Sequence, residues 1–101
     1  MKRITLSFLE RCYQEGCFGY EEPTHVRLHP LHEKFVLEAL VGQDTKATMQ
    51  RRFNNAQFVY TPEVAGNFVE IVNINYLRNA AYNFSRKIEG EEVCVCCGRP
   101  S

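Results

Sequence analysis

The cysteines constrain this chain most, because three of its five lie within residues 94–97. The spacing Cys94-x-x-Cys97, followed by glycine, is typical of a zinc knuckle. Two residues between the thiolates let one turn aim both sulfurs at a single ion, and the glycine relieves the turn. A second short-spaced pair, Cys12 and Cys17, lies near the other end of the sequence. The two pairs together predict a closed structural zinc site that staples a small domain.

The ligand set of this site stays open. Cys96 is redundant beside its two neighbours, and the spacing from Cys12 to Cys17 is looser than in a usual knuckle, so Cys96 and His32 are alternative ligands. An odd number of cysteines fits a disulfide framework poorly. The competing interpretation is a reduced, thiol-bearing tail over residues 93–101. A structural zinc ion is the one cofactor that the sequence suggests.

The length and the net charge of the chain limit the classes of protein to which it can belong. A chain of 101 residues has room for one core, so we expect a single globular domain over residues 1–92. Twelve basic residues balance twelve acidic ones, whereas a dedicated nucleic-acid binder shows a basic excess. Arg51, Arg52 and Arg78 are therefore expected to be at most a local contact for a partner or a nucleic acid. The absence of a long apolar run and the reduced cysteines predict a cytoplasmic protein without a membrane contact.

The first half of the chain predicts a helix, a strand and a second helix. Residues 5–15 have helical spacing, with Thr5 or Ser7 as the N-cap and Gly16 as the stop. Residues 24–29 alternate with a period of two, which is typical of a strand. Pro30 suits the first turn of a helix over residues 30–41, which carries a wide apolar stripe.

The second half predicts a helix, two strands and a less certain last element. Asp44 caps a helix over residues 45–53, and Asn54-Asn55 marks a turn. Residues 57–60 and 68–72 form strands around a loop over 61–66. Asn75 caps a final helix with Leu77, Ala81, Phe84 and Ile88 at helical spacing, unless Tyr82 and Phe84 alternate in a third strand. The fold class is thus α+β, a small mixed or antiparallel sheet with two or three packed helices. The predicted core is Leu9, Val26, Leu28, Phe35, Leu40, Val69 and Ile71.

Three histidines lie within eight residues, at His25, His29 and His32. His25 and His29 project from one face of the predicted strand, and His32 begins the following helix. The sequence places no aspartate among them and no serine in a nucleophile elbow. We therefore expect half-exposed surface histidines rather than a catalytic group.

The run from Glu22 to Pro30, with a helix before and after it, resembles a segment of tailed-phage structural proteins. In their major capsid proteins, a comparable helix, Pro-Thr strand and Pro-capped helix belong to the shell-forming core. The resemblance covers about residues 4–41, and residues 68–72 correspond to a later core strand. It implies a phage-encoded structural protein.

These observations predict a non-enzymatic protein-binding or structural component, a virion or host-interaction protein. Its partner would be another protein, either a host or a virion component, or a second copy of the chain. The alternative is a zinc-stabilised nucleic-acid-binding or regulatory module that uses Arg51, Arg52 and the cysteine tail. A cysteine-dependent enzyme is a third hypothesis, because Cys and His partners meet in space rather than in sequence.

Overall fold

The computed structural model describes residues 2–16, 22–77 and 80–94, and their side chains apart from those of residues 74–83. Within them, three α-helices and a four-stranded mixed sheet form the α+β domain that the sequence predicts. The helices are α1 (Leu6–Glu15), α2 (Glu33–Ala39) and α3 (Thr45–Phe53), and a 3₁₀ turn (Pro30–His32) precedes α2. The strands are β1 (His25–Leu28), β2 (Gln57–Tyr60), β3 (Phe68–Leu77) and β4 (Ala80–Lys87).

Helix α1 begins at the first of its two candidate N-caps. The Thr5 hydroxyl accepts a hydrogen bond from the backbone N–H of Phe8 at 3.1 Å, which satisfies one unpaired donor of the first turn. Ser7 lies inside the helix. At the other end, a Cβ added to Gly16 would stand 2.5 Å from Cγ2 of Ile71. The helix therefore ends in direct contact with the sheet.

The segment between β1 and β2 folds as predicted in outline. Pro30 opens a 3₁₀ turn, and the α-helix proper follows it. Gly42, with a φ of 79°, closes the segment. Asp44 caps α3 by accepting a hydrogen bond from the backbone N–H of Ala47 at 3.2 Å. Asn54 takes the left-handed conformation that the Asn-Asn turn predicts.

The sheet has the strand order β2-β1-β3-β4, in which β1 and β2 are parallel and the other two pairs are antiparallel. The parallel pair needs a crossover, which α2 and α3 supply. On one face, Val26 lies opposite Ile71 and Leu28 lies opposite Val69. All four of these side chains are fully buried. This face therefore meets the helices across the core.

The predicted final helix, with Asn75 as its cap and Leu77, Ala81, Phe84 and Ile88 on one face, is wrong. Residues 80–87 form β4, which pairs antiparallel with β3 and places Phe84 opposite Ile71. The alternative of a third strand with Tyr82 and Phe84 is confirmed. Two of the three steps in this spacing are four residues long and fit a strand as well as a helix, whereas the step of three from Ala81 to Phe84 favours a helix. Pairing with β3 decides the outcome.

The core contains six of the seven residues predicted for it. Leu9, Val26, Leu28, Phe35, Val69 and Ile71 are at most 2% exposed. Leu40 is the exception and is only partly buried, because α2 ends at Ala39 and Leu40 lies in the turn that follows. No helix in residues 2–16, 22–77 or 80–94 is long and apolar enough to cross a membrane.

Candidate functional site

An apolar groove lies where the 3₁₀ turn, the loop before β3 and the end of β4 meet. Its volume is about 370 Å³. Leu31 and Ile88 supply its apolar surface, Gly66 and Asn67 form the backbone of one side, and the charged residues are Lys2, Lys87 and Glu92. We call this cavity the Leu31 groove. Leu31 is 47% exposed, which is high for a large aliphatic side chain beside the core.

The loop over residues 61–67 is held on the helical side of the sheet by His32. The His32 side chain is fully buried, and its Nε2 donates a hydrogen bond to the carbonyl oxygen of Gly66 at 2.6 Å. His32 follows Leu31, and Gly66 lines the same groove. The hydrogen bond therefore joins the two sides of the Leu31 groove. This burial corrects the expectation of a half-exposed surface histidine at position 32.

The protonation state of His32 follows from this arrangement. Burial lowers its pKa from the ordinary value of 6.5, although the hydrogen bond to Gly66 acts in the opposite direction and His29 adds a smaller lowering effect. The ring is therefore neutral at pH 7 with its proton on Nε2. Its Nδ1 is buried and has no hydrogen-bond partner in the part of the chain that the structure describes. A second proton there would place an unpaired charge in the core.

On the other face of the sheet, Arg27 holds the same loop. Its guanidinium donates to Glu70 Oε1 at 2.5 Å and to Glu63 Oε2 at 2.7 Å. Glu70 lies opposite Arg27 on β3, whereas Glu63 belongs to the loop. The Arg27 and Glu70 side chains are 25% and 20% exposed, so this pair is less screened by water than a surface ion pair. The loop is thus clamped from both faces of the sheet.

Backbone hydrogen bonds fix the two ends of the loop. The N–H of Thr61 donates to the carbonyl of Leu28 at 2.8 Å, and the N–H of Ile88 donates to the carbonyl of Asn67 at 2.9 Å. Val64, in the middle, is 3% exposed. Both ends of the loop and its middle are therefore held by contacts within the chain.

A second exposed apolar side chain, Phe68, lies on the other side of this loop. Phe68 is 36% exposed and lines a cavity of about 340 Å³ together with Val64, Ala65, Glu70 and Ser85. Leu31 and Phe68, two of the four large exposed hydrophobic residues in the part of the chain that the structure describes, therefore flank one clamped loop. The chain offers an apolar surface there that is wider than the groove alone.

The charged groups of the groove differ in whether they form an ion pair. Lys2 pairs with Glu92, with Nζ and Oε2 3.4 Å apart, and both side chains are about half exposed. Lys87 has no ion pair with any residue in 2–16, 22–77 or 80–94. It is exposed at the end of the outer strand β4. This ammonium group is available to a carboxylate of a partner.

Only some of the predicted zinc ligands lie among the residues that the structure describes. Cys12 is 1% exposed on α1, and burial raises its pKa to about 11, with the Glu15 carboxylate contributing in the same direction. Cys94 is half-buried. Cys17, Cys96 and Cys97 lie outside the described residues. In the described part, no three Cys, His, Asp or Glu side chains meet around one metal position. The zinc site therefore stays a sequence-based prediction.

The other predicted site residues are not gathered in one place. Arg52 donates to Glu10 Oε2 at 3.2 Å, while Arg51 is exposed on α3. Arg78 lies outside the described residues. His25 is half-buried and bonds its neighbour Thr24 through Nδ1 at 2.8 Å.

His29 is also half-buried, and its side chain stabilises the turn that follows it. It caps the 3₁₀ turn by accepting a hydrogen bond at Nδ1 from the N–H of Leu31 at 3.2 Å. This bond fixes the backbone of Leu31, so the histidine acts on the groove through local structure. His25 and His29 are thus half-exposed, as expected.

The sequence analysis did not identify Leu31, Gly66 or Asn67 as site residues. One signal was present, because the apolar stripe over residues 30–41 is wider than one helix face can bury. The excess appears as exposed side chains at Leu31 and Leu37. The role of Gly66 had no local signal, since its partner His32 is 34 residues away.

No family model matches the chain, and no curated protein and no solved structure matches it significantly. Any proposal about the function therefore rests on the geometry of the Leu31 groove and the clamped loop.

Proposed function

We propose that this protein is a non-enzymatic protein-binding component whose contact surface is the Leu31 groove together with Phe68. The observation that supports it is the exposure of Leu31 beside a loop that His32 and Arg27 clamp from opposite faces. Exposed apolar side chains on a backbone that is already fixed lose little conformational entropy when a partner covers them. Such a surface is suited to binding.

A protein fits this surface better than a small molecule or a nucleic acid. Leu31 and Phe68 flank the loop on two sides, so a partner must span it to cover both. Interface centres are apolar with charged groups at the rim, and Lys2, Lys87 and Glu92 supply such a rim. The net charge of zero provides no general attraction for phosphate.

The buried thiol of Cys12 and the buried histidine also favour a non-enzymatic role. Cys12 has a pKa of about 11, so almost none of it is the nucleophilic thiolate at neutral pH. His32 uses Nε2 to bind the Gly66 carbonyl, and its ring has no access to water. Both groups are therefore better explained as structural.

The wider biological assignment rests on the sequence. The resemblance of residues 4–41 to tailed-phage structural proteins supports a virion or host-interaction role, and no matching family, curated protein or solved structure adds support to it. A surface built for contact is compatible with either role.

Titration of a purified partner tests the proposal. Proteins that co-purify with the tagged chain from the cells that produce it would be identified by mass, purified and titrated against the wild type, Leu31→Glu and Leu37→Glu. Leu37 is 58% exposed on α2 and serves as the matched control. We expect Leu31→Glu to weaken binding at least about tenfold, a loss of about 1.4 kcal/mol, and Leu37→Glu to bind like the wild type. Equal affinity for the wild type and Leu31→Glu would contradict the proposal.

A further inference from the structure

The Leu31 groove is small, and its size limits what it can hold. Its volume of about 370 Å³ lies at the lower end of the range of about 300–1,000 Å³ that is usual for ligand cavities. Leu31 and Ile88 give it an apolar surface. A partner protein therefore fills the groove with one projecting residue rather than with a whole helix or strand, and that residue has an apolar side chain.

The charges at the rim of the groove leave one cation without a counterion. Lys2 and Glu92 form an ion pair, with Nζ and Oε2 3.4 Å apart, so their charges offset each other. Lys87 forms no ion pair in the part of the chain that the structure describes, and it is exposed. It lies opposite Phe68, so it adjoins both the groove and the second exposed apolar side chain. An occupant with one negative charge next to its apolar part complements this arrangement.

Backbone donors lie at the same place. The N–H of Phe68 donates to the carbonyl of Ala65 at 3.1 Å, which closes a β-turn. The central residues of this turn, Gly66 and Asn67, line the groove, and among the described residues neither of their N–H groups has an acceptor. The peptide bond between them is trans, so the Asn67 N–H points away from the Gly66 carbonyl and from His32, to which that carbonyl is bound. A carboxylate can accept a charge-assisted hydrogen bond from this N–H.

We propose that the Leu31 groove binds the C-terminal residue of a partner protein, with its apolar side chain in the groove and its α-carboxylate beside Lys87 and the N–H of Asn67. The side chain and the carboxylate of a C-terminal residue are attached to the same Cα atom, so one residue supplies both groups in a small space. An internal Asp or Glu would divide the two groups between two residues and cover a longer stretch of surface. This inference rests on the proposed function, for which it names the chemistry of the partner.

The test is a titration of the isotopically labelled protein with four small probes, followed through the NMR signals of the backbone amides. N-acetyl-leucine carries both groups, N-acetyl-leucinamide lacks only the charge, and acetate lacks the apolar side chain. N-acetyl-aspartyl-leucinamide carries its carboxylate on an internal residue. Each probe is titrated against the wild type, Lys87→Gln, Leu31→Glu and Lys46→Gln. The last variant is the matched control, because Lys46 is an exposed lysine on α3.

We expect N-acetyl-leucine to bind with a Kd in the millimolar range, as befits a ligand of about a dozen non-hydrogen atoms, and to shift the amide signals of Gly66, Asn67 and Ile88. The other three probes should bind at least about threefold more weakly, because none of them carries both groups on one residue. Lys87→Gln should remove the difference between N-acetyl-leucine and its amide. Leu31→Glu should weaken the binding of both, and Lys46→Gln should change neither.

The inference is overturned if N-acetyl-leucine leaves the amide signals of Gly66 and Asn67 unchanged. It is also overturned if the wild type binds N-acetyl-leucinamide or N-acetyl-aspartyl-leucinamide as tightly as N-acetyl-leucine. These failures are distinct from failure of the proposed function. A purified partner that prefers the wild type to Leu31→Glu, in a protein that does not bind N-acetyl-leucine, refutes only the capture of a C-terminal residue. A partner that binds both proteins equally refutes the proposed function as well.

Discussion

Two pairs of exposed apolar residues differ in their surroundings. Leu31 and Phe68 are 47% and 36% exposed, and Leu37 and Val41 are more exposed still, at 58% and 78%. The first pair flanks a loop that is clamped from both faces of the sheet. The second pair lies at the end of α2 and in the turn after it. Exposure alone would rank the second pair first. The distinguishing property is the loop between Leu31 and Phe68, which His32 and Arg27 hold by side-chain hydrogen bonds.

This difference indicates which of the two regions is stabilised by buried polar contacts. His32 and Arg27 are a buried imidazole and a partly buried guanidinium, and both are costly to desolvate. His32 donates its hydrogen bond to the loop over residues 61–67, and Arg27 donates one to the loop and one to Glu70 on β3. A surface that must bind a partner gains from such fixing, whereas solvated residues such as Leu37 do not need it. The predictions below test whether the two regions differ in this way.

The largest expected effect comes from His32→Ala. The substitution removes a fully buried ring and leaves the Gly66 carbonyl without its donor. We expect the free energy of unfolding to fall by about 2–4 kcal/mol. Leu37→Ala should change it by less than about 0.5 kcal/mol. Urea denaturation measures both, and equal losses would remove the distinction between the regions.

The contacts of Arg27, on the face of the sheet away from the helices, should contribute less to the free energy of unfolding. Arg27→Ala leaves Glu70, which is 20% exposed, without its cation, and we expect a loss of about 1–2 kcal/mol. Glu63 is 76% exposed, so Glu63→Ala should cost about 0.5 kcal/mol or less. The same denaturation assay applies. A larger loss for Glu63→Ala than for Arg27→Ala would show that Glu63 stabilises the protein through a contact other than the guanidinium.

Stability should depend on pH through His32. Its pKa is lower in the folded protein than the value of 6.5 in the unfolded chain, so the unfolded state binds the proton first. The stabilisation is complete above about pH 6.5 and is lost as the pH falls below it. His32→Gln should lose less stability than the wild type between pH 7 and pH 5. Parallel pH profiles for the two proteins would show that His32 is not the titrating group.

The smallest expected effect on folding is that of Gly66→Ala. A Cβ at this position would meet no atom within 4 Å, so stability should change by no more than about 0.5 kcal/mol. The added methyl group would nevertheless stand beside the Leu31 groove. We expect a measurable loss of partner affinity without a change in melting temperature. Loss of both together would indicate that the glycine itself, and not only the Gly66 carbonyl, is needed for folding.

The sequence predicted those elements whose signals are local. Thr5, Asp44 and Asn54 each act within three or four residues, and each takes its predicted part. The alternation in residues 24–29 likewise identified β1 and its buried side. Such signals are strong because capping and left-handed turns depend on the residue itself rather than on distant partners.

The features that the sequence could not predict depend on distant contacts. Phe84 is in a strand because β3 lies beside it, and nothing near Phe84 records that pairing. His32 is buried because Gly66 meets it from 34 residues away. Leu40 is partly exposed because α2 stops one residue earlier. Of the candidate site residues, Cys12 is buried on α1, and the groove was recognised only in the folded chain.

The most direct test of the Leu31 groove is photo-crosslinking from single positions in cells that produce the protein. A photoreactive amino acid would replace Leu31, Phe68, Leu37 or Val41, one at a time. Residues 31 and 68 should crosslink to the same protein, either a partner or a second copy, whereas residues 37 and 41, although more exposed, should give no such product. Equal crosslinking from all four positions, or crosslinking only from 37 and 41, would contradict the assignment of the clamped loop as the contact surface.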